Sequence, residues 1–472
     1  MTLRIGNGAG FLGDNLDAPR LLVEGTELDY LTLEYLAELT MSILARAREK
    51  DPAAGYAKDF ITVLGSLRAA LHAQPNLRIV TNAGGVNPRA CAKVAGRLLA
   101  DARLGGRLLA VVSGDDLLPR LSELQTAGCR FEHLDTGQPL SELGREVVAV
   151  NAYLGAEAIV RGLENGAHLV ITGRVADASL TVGPAVHAFR WSFDHTDRLA
   201  GASVAGHLIE CGAQVTGGYH RDWQDLDLAR VGYPVVELSP DGSCVVTKPR
   251  FTGGTVDRHT VAAQLVYEIG DPAHYLTPDV DVDFTTVEIE EQGDNRVAVR
   301  GATGGPPPDS YKVSLAYRAG FMAAGQLVVY GRDCLAKARA AAEMLLARVR
   351  RAGFDLEQTH VELLGTGEAV PLRTAAAKTS AEGAIENTSS EGAFDHREVV
   401  LRIAARDPRR EALERFLREF APLATSGPAG LAGYTAAAGQ VRSVFAYWPT
   451  TVPKALVQPR MEIDTAAAWA EK

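Results

Sequence analysis

An arginine and an aspartate follow a run of apolar and β-branched residues in the segment LVITGRVADASL, residues 169–180. Arg174 carries a planar fork of donors that matches a carboxylate or a phosphate, so it is the first candidate for binding a substrate. Asp177 is a candidate general base, or a residue that orients the arginine. Each residue also has a purely structural alternative. Arg174 could form an ion pair with Asp177 or Asp115, and Asp177 could cap the start of a helix.

Glycine and short polar residues end four other segments that have the composition of strands, at 6–15, 82–87, 113–116 and 151–155. Their backbone N–H groups and small side chains suit a carboxylate, phosphate or thioester oxygen. They are equally the turn and cap residues of any α/β protein. The residues of this kind that we predict to bind substrate are Gly8, Gly10, Asn15, Asn82, Gly84, Gly85, Asn87 and Ser179. Asp115 is a second candidate for moving a proton.

The segment GAGFLG, residues 8–13, has the G-x-G-x-x-G spacing of a dinucleotide-binding turn. An acidic residue stands about twenty positions further on, at Asp29 or Glu34, as that motif requires. The segment that follows the glycines is DNLDAPRLL, which is polar and contains a proline. It lacks the long helix expected behind a pyrophosphate, so the sequence indicates no redox cofactor. Any other cofactor stays unknown, and a substrate that carries a CoA moiety stays open.

Two glycine-rich segments further along the chain supply the remaining candidates. His220 lies in TGGYHRDW and is a third candidate for proton transfer, because histidine titrates near neutrality; a structural role is the alternative. Lys248, Gly253 and Gly254 lie in TKPRFTGGTV, where successive N–H groups can form an anion nest. A β-hairpin with solvated basic residues is the alternative for that segment.

No histidine, cysteine or carboxylate pattern has the spacing of a metal site, and no GxSxG motif is present. The sequence therefore predicts no metal ligands. A divalent-metal lyase or hydrolase remains as an alternative, with four aspartates as its ligands: Asp14, Asp115, Asp116 and Asp177.

Segments with the pattern of strands alternate with segments with the pattern of helices through the first half of the chain, and these elements must position the candidate residues. This alternation predicts an α/β fold with a mainly parallel sheet and flanking helices. An open sheet is favoured over a barrel, although the pattern does not decide between them. Ligands bind at the carboxyl ends of parallel strands, so the polar strand ends are expected to converge on one mouth.

After the alternating strand and helix patterns, the sequence becomes richer in glycine and in short strand-like segments. We predict an α/β domain over residues 1–278, with a glycine-rich β insertion near 215–260. A second, smaller α+β domain is predicted over 279–472. It contains an alanine-rich amphipathic helix at 334–353 and a long loop at 366–395.

Composition excludes several classes of protein. The net charge of −10 argues against nucleic-acid binding, which requires a concentrated cationic surface. No signal peptide and no apolar run of about 18 residues is visible, so we expect neither secretion nor a membrane span. The five cysteines are scattered and never form CxxC, which is typical of reduced cytoplasmic thiols. We expect a cytoplasmic protein that forms a homo-oligomer.

Several longer motifs resemble the AtuA family of acyclic terpene utilisation proteins, formerly a domain of unknown function. They are RIGNGAGFLGDN, VTNAGGVNP, LGAEAIVRGLENGAHLVITGRVADASL, CGAQVTGGY and APLATSGPAGLAGY with VFAYWP. The resemblance runs from residue 3 to residue 455. It implies a bacterial catabolic protein that works among acyl-CoA intermediates, and a small, separately encoded partner related to an extra domain of some relatives. The family offers no settled catalytic residues to transfer.

Together these observations predict a cytosolic catabolic enzyme for a small-molecule substrate. The substrate would be a carboxylated or acyl-CoA-linked, branched or terpenoid intermediate. The reaction would be hydration, dehydration or carbon–carbon cleavage beside a carbonyl, with Asp177, Asp115 or His220 moving the proton. The alternative is a non-catalytic, partner-dependent or ligand-binding subunit of the same pathway.

Overall fold

A computed structural model describes residues 2–367, 396–433 and 439–472 of the chain. The loop predicted over residues 366–395 lies outside the described residues, apart from its first two positions.

The chain divides into two compact units. The larger consists of Met1–Tyr317 with Tyr447–Lys472, and the smaller is Arg318–Ala446. The predicted domain boundary at residue 278 is not confirmed.

The strands are numbered in chain order. They are β1 Leu3–Asn7, β2 Tyr30–Leu33, β3 Arg78–Thr81, β4 Leu108–Ser113, β5 Val147–Ala152, β6 Leu169–Thr172, β7 Val235–Leu238, β8 Cys244–Thr247, β9 Tyr275–Leu276, β10 Asp281–Asp283, β11 Glu288–Glu291, β12 Val297–Arg300, β13 Thr303–Gly305, β14 Ser310–Tyr330, β15 Gln358–Leu364, β16 Glu398–Asp407, β17 Leu431–Ala432, β18 Arg442–Pro453 and β19 Arg460–Thr465.

The α-helices are numbered in the same way. They are α1 Ala18–Gly25, α2 Glu38–Lys50, α3 Lys58–Ser66, α4 Arg68–Ala73, α5 Pro88–Asp101, α6 Leu121–Thr126, α7 Glu157–Glu164, α8 Ser179–Phe189, α9 Thr196–Glu210, α10 Arg258–Leu265, α11 Cys334–Arg351, α12 Arg410–Arg418, α13 Leu423–Ser426 and α14 Ala466–Glu471. Among the described helices, none has both the length and the apolar character needed to cross a bilayer.

The main sheet of the larger unit is mixed. Within the described residues its strand order is β11-β12-β8-β7-β1-β2-β3-β6-β4-β19. The neighbours β1, β2, β3, β6 and β4 are parallel, and their near-continuous apolar runs are buried. The other strands are antiparallel. The combination of helices and sheet is confirmed, but the prediction of a mainly parallel sheet was too strong.

The antiparallel part of the sheet comes from three parts of the chain. Strands β11 and β12, from the segment predicted as the second domain, pair with each other, and β12 pairs with β8. The segment predicted as a β insertion supplies β7 and β8, and β7 pairs with β1. The carboxyl-terminal strand β19 pairs with β4 at the other edge. Apolar periodicity identifies such strands but says nothing about their partners, and this is why the sequence did not assign them to the sheet.

Strand β5 also departs from the prediction. It was expected to be the fifth parallel strand, but it pairs antiparallel with the first part of β14. The segment after β5 still approaches β6, because the Leu154 N–H donates to the Arg174 carbonyl at 3.2 Å. Tyr153 is therefore brought beside Arg174 from a different sheet.

The smaller unit is an antiparallel sheet packed against helices. Residues Phe321–Tyr330 of β14 pair with β16, and β16 pairs with β15. The alanine-rich helix predicted at 334–353 is present as α11, and its buried face packs with Phe416 and Phe420 into one apolar core.

The carboxyl-terminal segment completes the core of the larger unit. Trp469 on α14 is 1% exposed, and its indole N–H donates to the Leu109 carbonyl at 3.0 Å. Helix α14 packs closely on α5: a Cβ added at Gly96 would lie 2.5 Å from the Ala466 carbonyl oxygen. This segment therefore anchors the β4 edge of the sheet.

We expect Trp469→Ala to lower the free energy of unfolding by about 3–5 kcal/mol, since it leaves a large cavity and an unpaired carbonyl. Urea denaturation followed by circular dichroism measures the change. Trp223→Ala is the control, because that ring is 56% exposed and its loss should change stability by less than about 0.5 kcal/mol. Equal losses in the two variants would contradict the anchoring role.

Candidate functional site

The carboxyl ends of β1, β2 and β6 lie at a cavity of about 440 Å³ in the larger unit. Its lining includes Asp14, Phe11, Glu34, Arg174, Asp177 and Glu210. Strand β2 is followed directly by Glu34, β6 is followed by Gly173 and Arg174, and the turn after β1 brings Gly10, Phe11 and Asp14 to the cavity. The convergence of these strand ends follows the expectation for parallel strands.

Arg174 is almost completely buried, with 1% of its side chain exposed. Its Nη1 donates to the Leu36 carbonyl at 2.7 Å and lies 2.8 Å from Asp177 Oδ1. Its guanidinium carbon is 4.0 Å from the centre of the Tyr153 ring, which adds a cation–π contact. The structure thus brings Arg174 and Asp177 together as an internal ion pair, one of the two roles expected for this arginine.

Glu34 is a buried carboxyl group of the cavity with a raised pKa. It is 4% exposed, and its Oε1 accepts hydrogen bonds from the Leu36 N–H at 2.7 Å and from the Asn82 side-chain amide. Its Oε2 has no hydrogen-bond partner within the described residues. Burial, together with the nearby charge of Asp177, raises the pKa of Glu34 to about 8, although Arg174 opposes the shift. Glu34 therefore holds a proton at neutral pH.

Asp177 differs from Glu34 in its surroundings. Burial raises the pKa of Asp177, and the Arg174 guanidinium opposes that effect. Its side chain is 34% exposed, and its distance to Arg174 Nη1 is 2.8 Å, against 3.9 Å for Glu34. We therefore assign the negative charge to Asp177 and the proton to Glu34. Two neighbouring carboxyl groups in different protonation states are the arrangement from which acid and base roles are assigned.

Further carboxyl groups line the cavity. Asp14 accepts hydrogen bonds from the Tyr233 hydroxyl and from the Gly10 N–H at 2.8 Å. Glu210 Oε1 lies 3.1 Å from His207 Nδ1, and its Oε2 has no partner in the described part of the chain. Glu38 and Glu268 complete the set.

Among the described lining residues Arg174 is the one basic side chain. The cavity therefore favours a neutral or cationic reacting group over the carboxylate or phosphate expected from the sequence.

Asp115 and His220 lie away from the cavity lining. Asp115 is buried behind it, and its Oδ2 accepts from the Arg174 N–H and the Asn151 amide, each at 2.9 Å. Burial raises the pKa of Asp115 to about 6. His220 Nε2 lies 3.3 Å from Asp257 Oδ2. These contacts make Asp115 a support for the backbone at Arg174 and tie His220 to the start of α10.

The polar residues predicted at the strand ends are mostly structural. Asn82 supports Glu34, and Asn87 caps α5 while its amide donates to the Ala54 carbonyl at 2.8 Å. Asn15 accepts from the Asp17 N–H at 3.0 Å. Ser179 donates to Asp279 at 2.6 Å.

Of the glycines predicted at these ends, Gly10 lines the cavity, and the others allow close packing. A Cβ at Gly84 would lie 2.4 Å from the Thr172 carbonyl oxygen, and one at Gly85 would lie 2.4 Å from Leu44. A Cβ at Gly8 would lie 3.0 Å from Pro19.

The TKPRFTGGTV segment is packed against its own surroundings and does not line the cavity. Lys248 Nζ donates to the Thr252 carbonyl at 2.9 Å. Gly254 has a φ of +76°, and a Cβ at Gly253 would lie 1.8 Å from the Asp227 carbonyl oxygen. These glycines are required by a tight backbone approach, and Lys248 is held inside the turn.

The four aspartates of the metal alternative are not gathered at one point. Asp116 pairs with Arg48 at 3.4 Å, and Asp115 is held beneath the Arg174 backbone. Within the described residues, no three His, Cys, Asp or Glu side chains form a group that could hold a metal ion.

Two residues of the cavity, Glu34 and Glu210, were not predicted as site residues from the sequence. Glu34 was considered there only as one of two acidic residues about twenty positions after the G-x-G-x-x-G glycines. The signal was present: β2 ends at Leu33, so Glu34 occupies the position that follows a parallel strand. Glu210 is the last residue of α9, and no local pattern distinguishes it.

A family model described as acyclic terpene utilisation family protein AtuA matches residues 3–463. The chain belongs to the AtuA family. The predicted resemblance is thus confirmed over nearly the whole length, including every residue of the cavity. No curated protein and no solved structure matches this AtuA-family chain.

The state of Glu34 predicts a dependence of stability on pH. Between the ordinary value of 4.5 and about 8, the folded protein holds a proton on Glu34 that the unfolded chain has released. The free energy of unfolding therefore falls as pH rises through this range, by about 1.4 kcal/mol per pH unit from this group. Glu34→Gln has no proton to lose.

We expect the stability of Glu34→Gln relative to the native protein to increase between about pH 5 and about pH 8. Urea denaturation at a series of pH values measures this difference. A difference that stays constant across the range would contradict the assigned proton.

Proposed function

We propose that this AtuA-family protein is a hydro-lyase that uses Glu34 as general acid and Asp177 as general base. The observation that carries the proposal is the pair of carboxyl groups beside one guanidinium: Asp177 lies 2.8 Å from Arg174 Nη1, whereas Glu34 lies 3.9 Å away and keeps a buried oxygen without a partner in the described chain. Acid–base pairs of this kind contribute roughly 10²–10⁴-fold to proton-transfer reactions. The reaction is the removal of water from a 3-hydroxyacyl compound, or its reverse.

In the dehydration direction, the Asp177 carboxylate takes the proton on the carbon next to the carbonyl. The carbon–oxygen bond at the neighbouring carbon breaks, and Glu34 delivers its proton to the leaving hydroxyl. Water and a conjugated double bond result, with no oxidant or reductant. Asp177 then holds a proton and Glu34 a charge, and loss of the Asp177 proton to solvent with uptake of one by Glu34 restores the starting state. Arg174 keeps Asp177 ionised between cycles, because protonation of Asp177 would leave the buried guanidinium without its counter-ion.

The lining supports a substrate with a neutral reacting end and an apolar body. Among the described lining residues, four carboxyl groups besides Glu34 and Asp177 oppose a free carboxylate in the cavity, whereas a thioester carbonyl carries no charge. Phe11 is 56% exposed and Tyr219 is 83% exposed, and both supply apolar surface to the same cavity. A branched acyl-CoA thioester meets both conditions, provided that the phosphates of its CoA moiety stay outside the cavity. The family description of acyclic terpene utilisation agrees with a branched apolar substrate.

A partner-dependent subunit is the second candidate. The observation that favours it is the exposure of Phe11 and Tyr219 at the cavity, since exposed aromatic residues are also what a partner covers. Activity of the isolated chain separates the two candidates. Dehydration that appears only after a second polypeptide is added would favour the subunit.

We expect Glu34→Gln to lower kcat for dehydration of branched 3-hydroxyacyl thioesters by roughly 10²–10⁴-fold. The absorbance of the conjugated enoyl product measures the rate. In the native protein kcat should fall as pH rises through about 8, because the acid then loses its proton.

The matched control is Glu164→Gln on α7, where the glutamate is exposed and outside the cavity. It should keep the native rate. Full turnover by Glu34→Gln, or a rate that rises through pH 8, would contradict the role of Glu34 as general acid.

A further inference from the structure

A second cavity, of about 620 Å³, lies at the opposite end of the parallel strands. Its lining includes Leu3, Tyr30 and Arg78, which are the first residues of β1, β2 and β3. The end of α8 and the residues after it form another wall, with His187 and Trp191. The acid–base cavity lies at the carboxyl ends of the strands, so the two cavities are at different edges of the sheet.

Three side chains in the wall of this second cavity, Tyr30, His187 and Arg78, form a hydrogen-bonded chain. Tyr30 Oη lies 2.7 Å from His187 Nδ1, and Arg78 Nη1 lies 3.2 Å from His187 Nε2. The same Nη1 donates to the Leu163 carbonyl at 3.1 Å. Arginine is always a donor, so His187 Nε2 must accept.

This geometry fixes the direction of the remaining hydrogen bond. Burial, with the charge of Arg78, lowers the pKa of His187 and keeps the ring neutral. A neutral ring that accepts at Nε2 carries its hydrogen on Nδ1, and that hydrogen is donated to the Tyr30 oxygen. The Tyr30 hydroxyl hydrogen is then left for another acceptor. Burial also raises the pKa of Tyr30 to about 12, so the hydroxyl stays protonated.

The other walls favour an anion with a flat apolar body. The rings of Phe189 and Trp191 are stacked, with centroids 5.1 Å apart and planes at 26°. Arg198 adds a second guanidinium at the exposed rim. Asp29 is the one acidic side chain among the described lining residues, and its Oδ2 already accepts from the Arg4 N–H at 2.8 Å.

We propose that this second cavity binds a small aromatic carboxylate. The carboxylate accepts hydrogen bonds from the Tyr30 hydroxyl and pairs with Arg78 and Arg198, and the planar body packs against Phe189 and Trp191. Such a site has the usual composition of a small-molecule pocket: apolar and aromatic walls with a few convergent polar groups. It is independent of the hydro-lyase proposal.

Calorimetric titration of the full chain with naphthalene-2-carboxylate tests the site. We expect one molecule to bind per chain, about tenfold or more tightly than 2-naphthalenemethanol, which lacks the charge, because hydrogen bonds to ionised groups are the stronger ones. Inorganic phosphate, which lacks the planar body, should bind more weakly than the naphthoate. No binding of the naphthoate, or equal binding of the neutral alcohol, overturns the proposal.

Three variants locate the binding. Tyr30→Phe keeps the ring and removes the hydroxyl, and should weaken binding about tenfold. Tyr35→Phe is the matched control, since that buried hydroxyl has no hydrogen-bond partner in the described chain. Arg198→Gln at the exposed rim should weaken binding without affecting folding. Native affinity in both Tyr30→Phe and Arg198→Gln overturns the proposal.

Glu34→Gln separates the two cavities. Because Glu34 lies at the other edge of the sheet, its substitution should leave the affinity for naphthalene-2-carboxylate unchanged. A loss of binding in Glu34→Gln with native binding in Tyr30→Phe would assign the naphthoate to the acid–base cavity and overturn the second site.

Discussion

Arg174 carries a positive charge in a position with 1% of its side chain exposed, and a buried charge is tolerated only where counter-charge and hydrogen-bond acceptors surround it. The chain supplies these from three segments: the Leu36 carbonyl after β2, the Tyr153 ring after β5 and Asp177 after β6. The guanidinium therefore fixes the relative positions of these segments. It also sets the charges of the two carboxyl groups beside it. Asp177, the nearer one, is its ionised counter-ion, and Glu34 keeps its proton.

Part of this arrangement could be predicted from the sequence. The rule that ligands collect at the ends of parallel strands found Arg174 and Asp177 directly. It missed Glu34 because the rule depends on where a strand stops, and an apolar run does not mark that residue within two or three positions. The apolar pattern of the sequence placed β5 in the wrong sheet, because an apolar run of strand length gives no information about its pairing partner. For the same reason, the sequence did not predict that β7 and β19 belong to the main sheet.

The charge of the cavity was the feature least accessible to sequence reasoning. Glycines and an arginine in separate segments indicated an anion, but the carboxyl groups of Glu210 and Glu268 arrive from distant parts of the chain and reverse the balance. The glycines themselves are ambiguous in a sequence. Gly84 is required because the Thr172 carbonyl oxygen lies where a Cβ would stand, a packing constraint that has the same sequence signature as an anion-binding turn.

The order of the chain has a consequence for biosynthesis. The smaller unit, Arg318–Ala446, is inserted between two parts of the larger one. During synthesis the smaller unit leaves the ribosome before β19 and Trp469, so β4 has an open edge until they follow. Exposed strand edges pair readily with other chains, and nascent domains generally fold as units. In the interval before residues 460–472 leave the ribosome, the edge of β4 is therefore open to pairing with another chain.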